Sequence, residues 1–377
     1  MDRPRRIVIA AGGTAGHVVP ALAVAAALRA EGAQVEFVGG ERAEAQLVPA
    51  AGFPLHTLSV RGLHRSNPLL ALQALALSAA ALARARALLA RVAPDAVMGG
   101  GGYVAGPVGL AALSLGIPLV LTEADSHLGL TNRLLAPFAR RVCLAFPLAA
   151  RNGTRYRVTG RPIQMPAHDR AAARERFAVD AQATCVLVFG GSLGARSINL
   201  AAIEAFAGAD LHVLHVCGVR DHDELRARMT AGGYDLRATM PAGGYDLRAP
   251  MPAGGYDLRA YLDREAFADA LSAADLVVAR AGGSVFEIAA HGLPAILVPY
   301  PHASADHQSE NARWMAQAGA AVTIPDSELT PARLRAEIDA LLADGERLAE
   351  MARASASLAR PQAARDVAEE LLEAASG

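Results

Sequence analysis

Short apolar runs alternate along this chain with longer Ala- and Leu-rich stretches of helical period, and the series runs twice. In the first half, residues 6–11, 35–39, 55–60, 96–99, 118–122, 142–146 and 155–158 read as strands. A second set follows at 185–189, 212–217, 258–262, 276–279, 295–299 and 321–324. Apolar strands separated by helical stretches mark parallel βαβ units, in which helices cover both faces of the sheet. The pattern predicts an α/β protein of two Rossmann-like, doubly wound domains, with an interdomain cleft as the expected ligand site. The polar stretch from Gly160-Arg161-Pro162 to residue 176 is the linker. Boundaries fall at 1–160, 161–345 and 346–377, the last a helical tail that caps the second domain or crosses back to the first.

Two segments stand apart from this alternation. Residues 67–92 form an Ala/Leu helix that gains Arg84, Arg86 and Arg91 near its end. Its uninterrupted apolar part is shorter than the roughly 20 residues that span a bilayer, which leaves a buried helix or an interfacial one. The octapeptide AGGYDLRA occurs three times at a spacing of eleven, from Ala231 to Ala260. Stacked-repeat folds carry their unit through the whole core, and this one recurs nowhere else. The third copy runs into Tyr261-Leu262 and is read as the native strand, leaving 231–252 as a duplicated loop insert.

Composition narrows the chemistry. With 377 residues, 53% hydrophobic, the chain can bury two cores, and a net charge of −1 gives no basic field for nucleic acid. It contains no lysine, so the 36 basic residues are all Arg, and Schiff-base and P-loop lysines are excluded. The apolar run after MDRPRR is too short for a signal peptide and reads as a first strand. Cys143, Cys185 and Cys217 show no metal spacing and read as reduced structural thiols.

Three glycine-rich turns follow strands: Gly12-Gly13-Thr14-Ala15-Gly16-His17, Gly99 to Tyr103, and Gly190-Gly191-Ser192-Leu193-Gly194. Such turns let backbone N–H groups approach an anion at the positive end of a helix, so phosphate is the expected ligand. None has dinucleotide spacing, and no acidic residue is obviously placed for a ribose after the first, which disfavours a nicotinamide dehydrogenase. In the second half, Arg280-Ala281-Gly282-Gly283-Ser284-Val285-Phe286-Glu287 opens a helix. Two readings of Glu287 stand: a capping box with Ser284, or a carboxylate accepting two ribose hydroxyls. Asp221-His222-Asp223 reads as an acidic helix start, not a metal site.

GGTAGH at 12–17, GGGGYVAGP at 99–107, LTN at 130–132, GGSLGAR at 190–196 and RAGGSVFEIAAHGLPAILVPYP at 280–301 resemble the MurG family of peptidoglycan glycosyltransferases. The resemblance runs in order over nearly the whole chain. It implies a GT-B fold and inverting transfer of N-acetylglucosamine from UDP-GlcNAc to undecaprenyl-pyrophosphoryl-MurNAc-pentapeptide (lipid I), with no cofactor. It also implies a peripheral position on the cytoplasmic face of the bacterial membrane. Carried onto this sequence, it places Thr14, Ala15, Gly16, Asp125, Arg161, Ser192, Leu262, Gly282, Gly283, Ser284, Glu287 and Gln308 at the donor. Gly101, Gly102 and Tyr103 fall to the lipid pyrophosphate.

The chain departs from the family in reading Glu123-Ala124-Asp125 for Glu-Gln-Asn, Gln164 for Arg and Leu193 for Gln, and its Ala-Gly-Gly-Ser segment is one residue short. Arg161 stands near enough to supply the cation lost at 164. His17 is the leading candidate base for the acceptor hydroxyl, and Asp125 the reserve. Arg84, Arg86, Arg140 and Arg141 flank the apolar helix proposed to meet the membrane. The alternatives are another UDP- or TDP-sugar transferase of the same fold and a nucleotide-sugar epimerase or binder.

Overall fold

The computed structural model describes residues 3–58, 68–148, 151, 153–163, 169–191, 193–231, 255–303 and 306–377, side chains of 68–79 excepted. It divides into two compact units, Met1–Gln164 with Arg360–Gly377, and Met165–Ala359.

The first unit is built on a seven-stranded, all-parallel sheet: β1 (Arg6–Ala10), β2 (Gln34–Gly39), β3 (Leu55–Thr57), β4 (Ala96–Gly99), β5 (Leu119–Glu123), β6 (Arg141–Leu144) and β7 (Tyr156–Val158). Their spatial order is β3-β2-β1-β4-β5-β6-β7. Every residue of β4 is buried, as an inner parallel strand covered on both faces requires. One face packs on α1 (Ala15–Ala30), α2 (Ala43–Ala50) and the last helix, α14 (Ala363–Ala374); Phe37, Leu28, Met98 and Leu371 lie in that core. The other packs on α3 (Pro68–Val92), α4 (Ala105–Ser114) and α5 (Leu130–Leu135), with Leu89, Leu119 and Leu144 at its centre. The helix α14 is held to the sheet by Glu370, buried at its middle and paired with Arg141 (2.8 Å) and Arg157.

The second unit repeats the plan with β8 (Cys185–Phe189), β9 (His212–Val216), β10 (Tyr256–Arg259), β11 (Leu276–Ala279), β12 (Ala295–Leu297) and β13 (Ala321–Thr323), ordered β10-β9-β8-β11-β12-β13. Its helices are α6 (Arg170–Arg176), α7 (Arg196–Ala205), α8 (His222–Ala231), α9 (Arg264–Ala273), α10 (Val285–Ala290), α11 (His307–Gln317), α12 (Pro331–Ala343) and α13 (Gly345–Leu358). All thirteen predicted strands are present. The one shifted by more than the usual end effects is β10, expected at 258–262. It starts at Tyr256 inside the third octapeptide copy, because Tyr256 and Leu258 are the side chains turned into the core. Leu262 therefore lies beyond the strand, though it is buried. Most of the insert at 231–252 falls outside the described residues.

Each sheet reverses its winding once, between β1 and β4 and between β8 and β11. In open α/β sheets the crevice beyond the carboxyl ends of the strands at this switch point is where ligands bind. The first two glycine loops leave β1 and β4. The third leaves β8, and the Arg280–Ser284 turn leaves β11. Strand order alone thus sets the four motifs in two adjacent pairs.

Candidate active site

At the first switch point the two loops interlock. A Cβ on Gly102 would stand 1.9 Å from the Gly12 carbonyl oxygen, and one on Gly101 would stand 2.6 Å from Cδ2 of His17. Both residues have positive φ, so glycine answers a backbone and a spatial demand together. The His17 ring thus lies against the second loop, while its Nδ1 is 3.2 Å from Oγ1 of Thr14.

A proline explains where the nearby cation sits. In α1 the Gly16 carbonyl would accept from the N–H of residue 20, but that residue is Pro20, which has none. The Arg161 guanidinium fills the vacancy, donating from Nη2 to the Gly16 oxygen at 2.7 Å. Arg161 is thereby fixed beside His17. Burial first, then the charge of Arg161, lowers the pKa of His17 below its ordinary 6.5, against the opposite pull of Asp125 and Glu44. The imidazole is neutral at pH 7, the form that can accept a proton.

His17, Arg161, Gly16 and Gly101 line a solvent-open cleft together with Glu123 and Asn132. Glu123 ends β5 and orders the loop that carries Asp125. Its carboxylate accepts from the Gly129 N–H (2.8 Å), the Asn132 amide (2.9 Å) and the Asp125 N–H (3.2 Å). Burial pushes the Glu123 carboxyl above the usual range, although those hydrogen bonds favour the anion. Asp125 is half-buried near enough to His17 to influence its charge.

The Gly13 N–H donates to the Glu44 carboxylate at 2.8 Å. The same carboxylate accepts from the Gly40 N–H (2.8 Å) and the Tyr103 hydroxyl (2.9 Å), and Arg42 lies over the Tyr103 ring. Thr14, Ala15 and Gly16 remain exposed at the start of α1.

In the second unit, Gly194 and Gly218 pack backbone to backbone, a Cβ on Gly194 falling 2.0 Å from the Cys217 oxygen. The third loop closes on itself through the Gly194 N–H and the Gly191 oxygen (2.9 Å). Ser192 lies outside the described residues, as does Gln164; Leu193 is 70% exposed. Beside this loop, Arg280 is buried and donates to the Val298 and Pro299 carbonyls (both 3.1 Å), Asp326 (2.6 Å) and Ser197 (2.8 Å). It ties the ends of β11 and β12 to α7. The Asn311 amide holds α11 to the turn by donating to the Ala281 oxygen (3.0 Å). That brings Gln308 over Gly282, where its amide nitrogen is 3.9 Å from the point a Cβ would occupy, while its oxygen accepts from the Tyr300 N–H (3.0 Å).

Ser284 sits at the N-cap of α10 but makes no side-chain cap bond, so the capping-box reading loses its serine half. Gly282, Gly283, Ser284 and Glu287 are all half-buried along this turn. The Asp221 carboxylate is engaged by the Asn199 amide (2.9 Å) and Arg196, and α8 begins just after it with Asp223 and Glu224 in its first turn.

Sequence reasoning missed Glu44, Glu123, Asn132, Arg280 and Asn311 as supports. A glutamate one turn after the glycines that end β2 was the available signal for Glu44. The buried partners of the others are revealed only by strand order.

Residues 7–144 match the glycosyltransferase family 28 N-terminal domain, and residues 185–371 its C-terminal domain. A UDP-N-acetylglucosamine–N-acetylmuramyl-(pentapeptide) pyrophosphoryl-undecaprenol N-acetylglucosamine transferase from Moorella thermoacetica is 40% identical over 371 residues, 95% of this chain and 96% of that one. The protein of the same name from Halorhodospira halophila is 41% identical and covers 99% of both. The crystal structure of Acinetobacter baumannii MurG superposes with a TM-score of 0.77 at 32% identity, covering 98% of this chain and 100% of that one. Two parallel-sheet units with paired switch-point loops, matched end to end at such identity, place this chain in the MurG family of glycosyltransferases.

Proposed function

We propose that this chain transfers N-acetylglucosamine from UDP-GlcNAc to the C4 hydroxyl of lipid I, giving lipid II with inversion at the anomeric carbon. The observation that carries the reading is the end-to-end identity of about 40% to transferases named for that reaction. Neutral His17 takes the C4 hydroxyl proton, and Thr14 orients the ring through Nδ1. The freed oxygen forms a bond to the sugar C1 as the C1–O bond to the β-phosphate breaks, and UDP leaves with the electron pair. Asp125 supports the charge that forms on His17. The reserve reading makes Asp125 the base.

Most of the donor falls to the second unit. Leu262 packs beside uracil, Gly282, Gly283, Ser284 and Glu287 hold the uridine, Gln308 meets the sugar, and the third loop with Ser192 faces the pyrophosphate. The first unit takes the lipid pyrophosphate near Gly101, Gly102 and Tyr103, and its Thr14, Ala15, Gly16, Asp125 and Arg161 keep the donor role that the resemblance gives them. Backbone N–H groups at helix starts stabilise phosphate charge without proton transfer.

No helix among the described residues is long and apolar enough to cross a membrane. We infer a peripheral seat on the cytoplasmic face, made by Leu110, Leu130, Leu134 and Phe138, which are 50–70% exposed on α4, α5 and the turn after it. Exposed Arg133, Arg140 and Arg155 accompany them. Two of the cations first expected there have other work: Arg86 donates to the Ser114 oxygen (2.9 Å), tying α3 to α4, and Arg141 pairs with Glu370.

UDP release with UDP-GlcNAc, measured with and without a lipid I analogue, tests the function. Acceptor-dependent release supports it. Conversion of the sugar nucleotide alone indicates an epimerase, and no turnover in either case a binder.

A further inference from the structure

The carboxylate of Glu44 belongs to none of the motifs that carry the family likeness, yet three chain segments meet on it. It is fully buried on α2 and accepts from the loop after β1 (Gly13 N–H), the loop after β2 (Gly40 N–H) and the loop after β4 (Tyr103 hydroxyl). The space it fills exists only because its neighbours lack side chains. A Cβ on Gly12 would stand 2.7 Å from its Oε1, and one on Gly40 would stand 1.7 Å from the Tyr103 hydroxyl.

Among the described residues Glu44 forms no salt bridge, so a buried negative charge is held by uncharged donors alone. Burial works to raise its pKa, but the backbone and Tyr103 hydrogen bonds prevail and keep it low, so the group is ionised at neutral pH. Both oxygens face donors, so a carboxylate accepts all three bonds, whereas an amide would turn its NH2 against a backbone N–H. A charge set here acts on what lies next to the loops, and that is His17.

We propose that Glu44 is a positioning residue for the transfer: its carboxylate locks the first glycine loop to the second and so holds His17 against Gly101. The charged groups facing His17 are Arg161 from the segment after β7, Asp125 from the loop after β5, and Glu44 from α2. Arg161 opposes protonation and the two carboxylates favour it, so removing one carboxylate makes His17 a weaker base. This rests on the reading that the first unit binds the lipid acceptor.

Glu44→Gln keeps the size of the side chain but removes the charge and one of the two acceptors. The full-length variant should melt within a few degrees of wild type and bind UDP-GlcNAc unchanged by titration calorimetry. Its kcat/KM for a soluble lipid I analogue should fall about 10- to 100-fold, as expected for misplacing a catalytic group by a fraction of an ångström to an ångström. The acidic limb of its pH profile should move to lower pH. Tyr103→Phe should give part of the same loss, and the double variant no more than Glu44→Gln alone, because both cut one tie.

Wild-type kcat/KM in Glu44→Gln overturns the proposal. So does a loss that follows thermal destabilisation while the pH limb stays in place, since that is merely structural. If Glu44→Gln does not fold, Tyr103→Phe decides: a loss in kcat at unchanged acceptor KM supports the tie, while full activity, or a loss confined to acceptor KM, refutes it. Failure of the wild-type protein to use lipid I would instead sink the functional reading, whatever the variants do.

Discussion

The interlock of the two acceptor-side loops can be tested at Gly102, with Gly116 as a control. Both take positive φ, +78° and +71°. Alanine at either carries the left-handed backbone cost of about 1–2 kcal/mol. They differ in surroundings. The new methyl at 116 meets nothing within 4 Å, whereas at 102 it stands 1.9 Å from the Gly12 oxygen, 2.9 Å from its carbon and 3.3 Å from its nitrogen. Reaching an ordinary contact distance requires the loops to part by roughly 1.5 Å, and overpacking a tight site adds about 1–3 kcal/mol. Gly102→Ala should therefore lose about 2–5 kcal/mol and Gly116→Ala about 1–2 kcal/mol, read by urea unfolding followed by circular dichroism. Loops parted by that much also displace His17, so Gly102→Ala should lose on the order of 100-fold in kcat/KM while Gly116→Ala keeps near-wild-type turnover. If the two variants match in stability and Gly102→Ala still turns over normally, the loops do not interlock as described.

Deleting Ala231–Pro252 joins Thr230 to Ala253, which restores an alanine at the end of α8 and leaves the Tyr256–Arg259 copy as β10. Stability should change by no more than about 2 kcal/mol and transfer should persist; loss of either assigns the insert a role. His17 predicts an acidic limb of kcat/KM below pH 6.5, because burial and Arg161 lower its pKa, with the rate falling as it protonates. A limb at or above 6.5 would remove it as the base. His215 is fully buried between the Tyr256 hydroxyl (2.7 Å) and Asn199 (3.0 Å), and burial lowers its pKa from 6.5 to about 3. Between those values the unfolded chain binds a proton that the folded one refuses, so stability falls as pH drops from 6.5, by about 2 kcal/mol at pH 5. His215→Gln should flatten that slope in urea titrations at pH 7 and 5, and an unchanged slope would place the acid sensitivity elsewhere.

Strand order explains why the fold was legible in the sequence and the supports were not. The inner parallel strands are buried on both faces, so β1, β4, β8 and β11 announce themselves as apolar runs, and glycines mark where each meets a helix. Nothing in that pattern tells that β1 neighbours β4 across 85 residues of chain, and so nothing predicts that Glu44 reaches both Gly13 and Tyr103. Arg161 shows the same limit. It was expected only to replace the cation lost at 164, and its place beside the first loop is set by the carbonyl that Pro20 leaves open. β10 was misplaced because three identical copies offered one strand pattern, and only the core under Tyr256 and Leu258 selects the register.

The central claim is inverting transfer to the lipid-linked acceptor, and the configuration of the new glycosidic bond tests it most directly. Proton NMR of the product made from UDP-GlcNAc, an α-linked donor, and a lipid I analogue should show the large H1–H2 coupling of a β-1,4-linked N-acetylglucosamine. A small coupling, marking an α-linked product, would contradict single displacement assisted by His17.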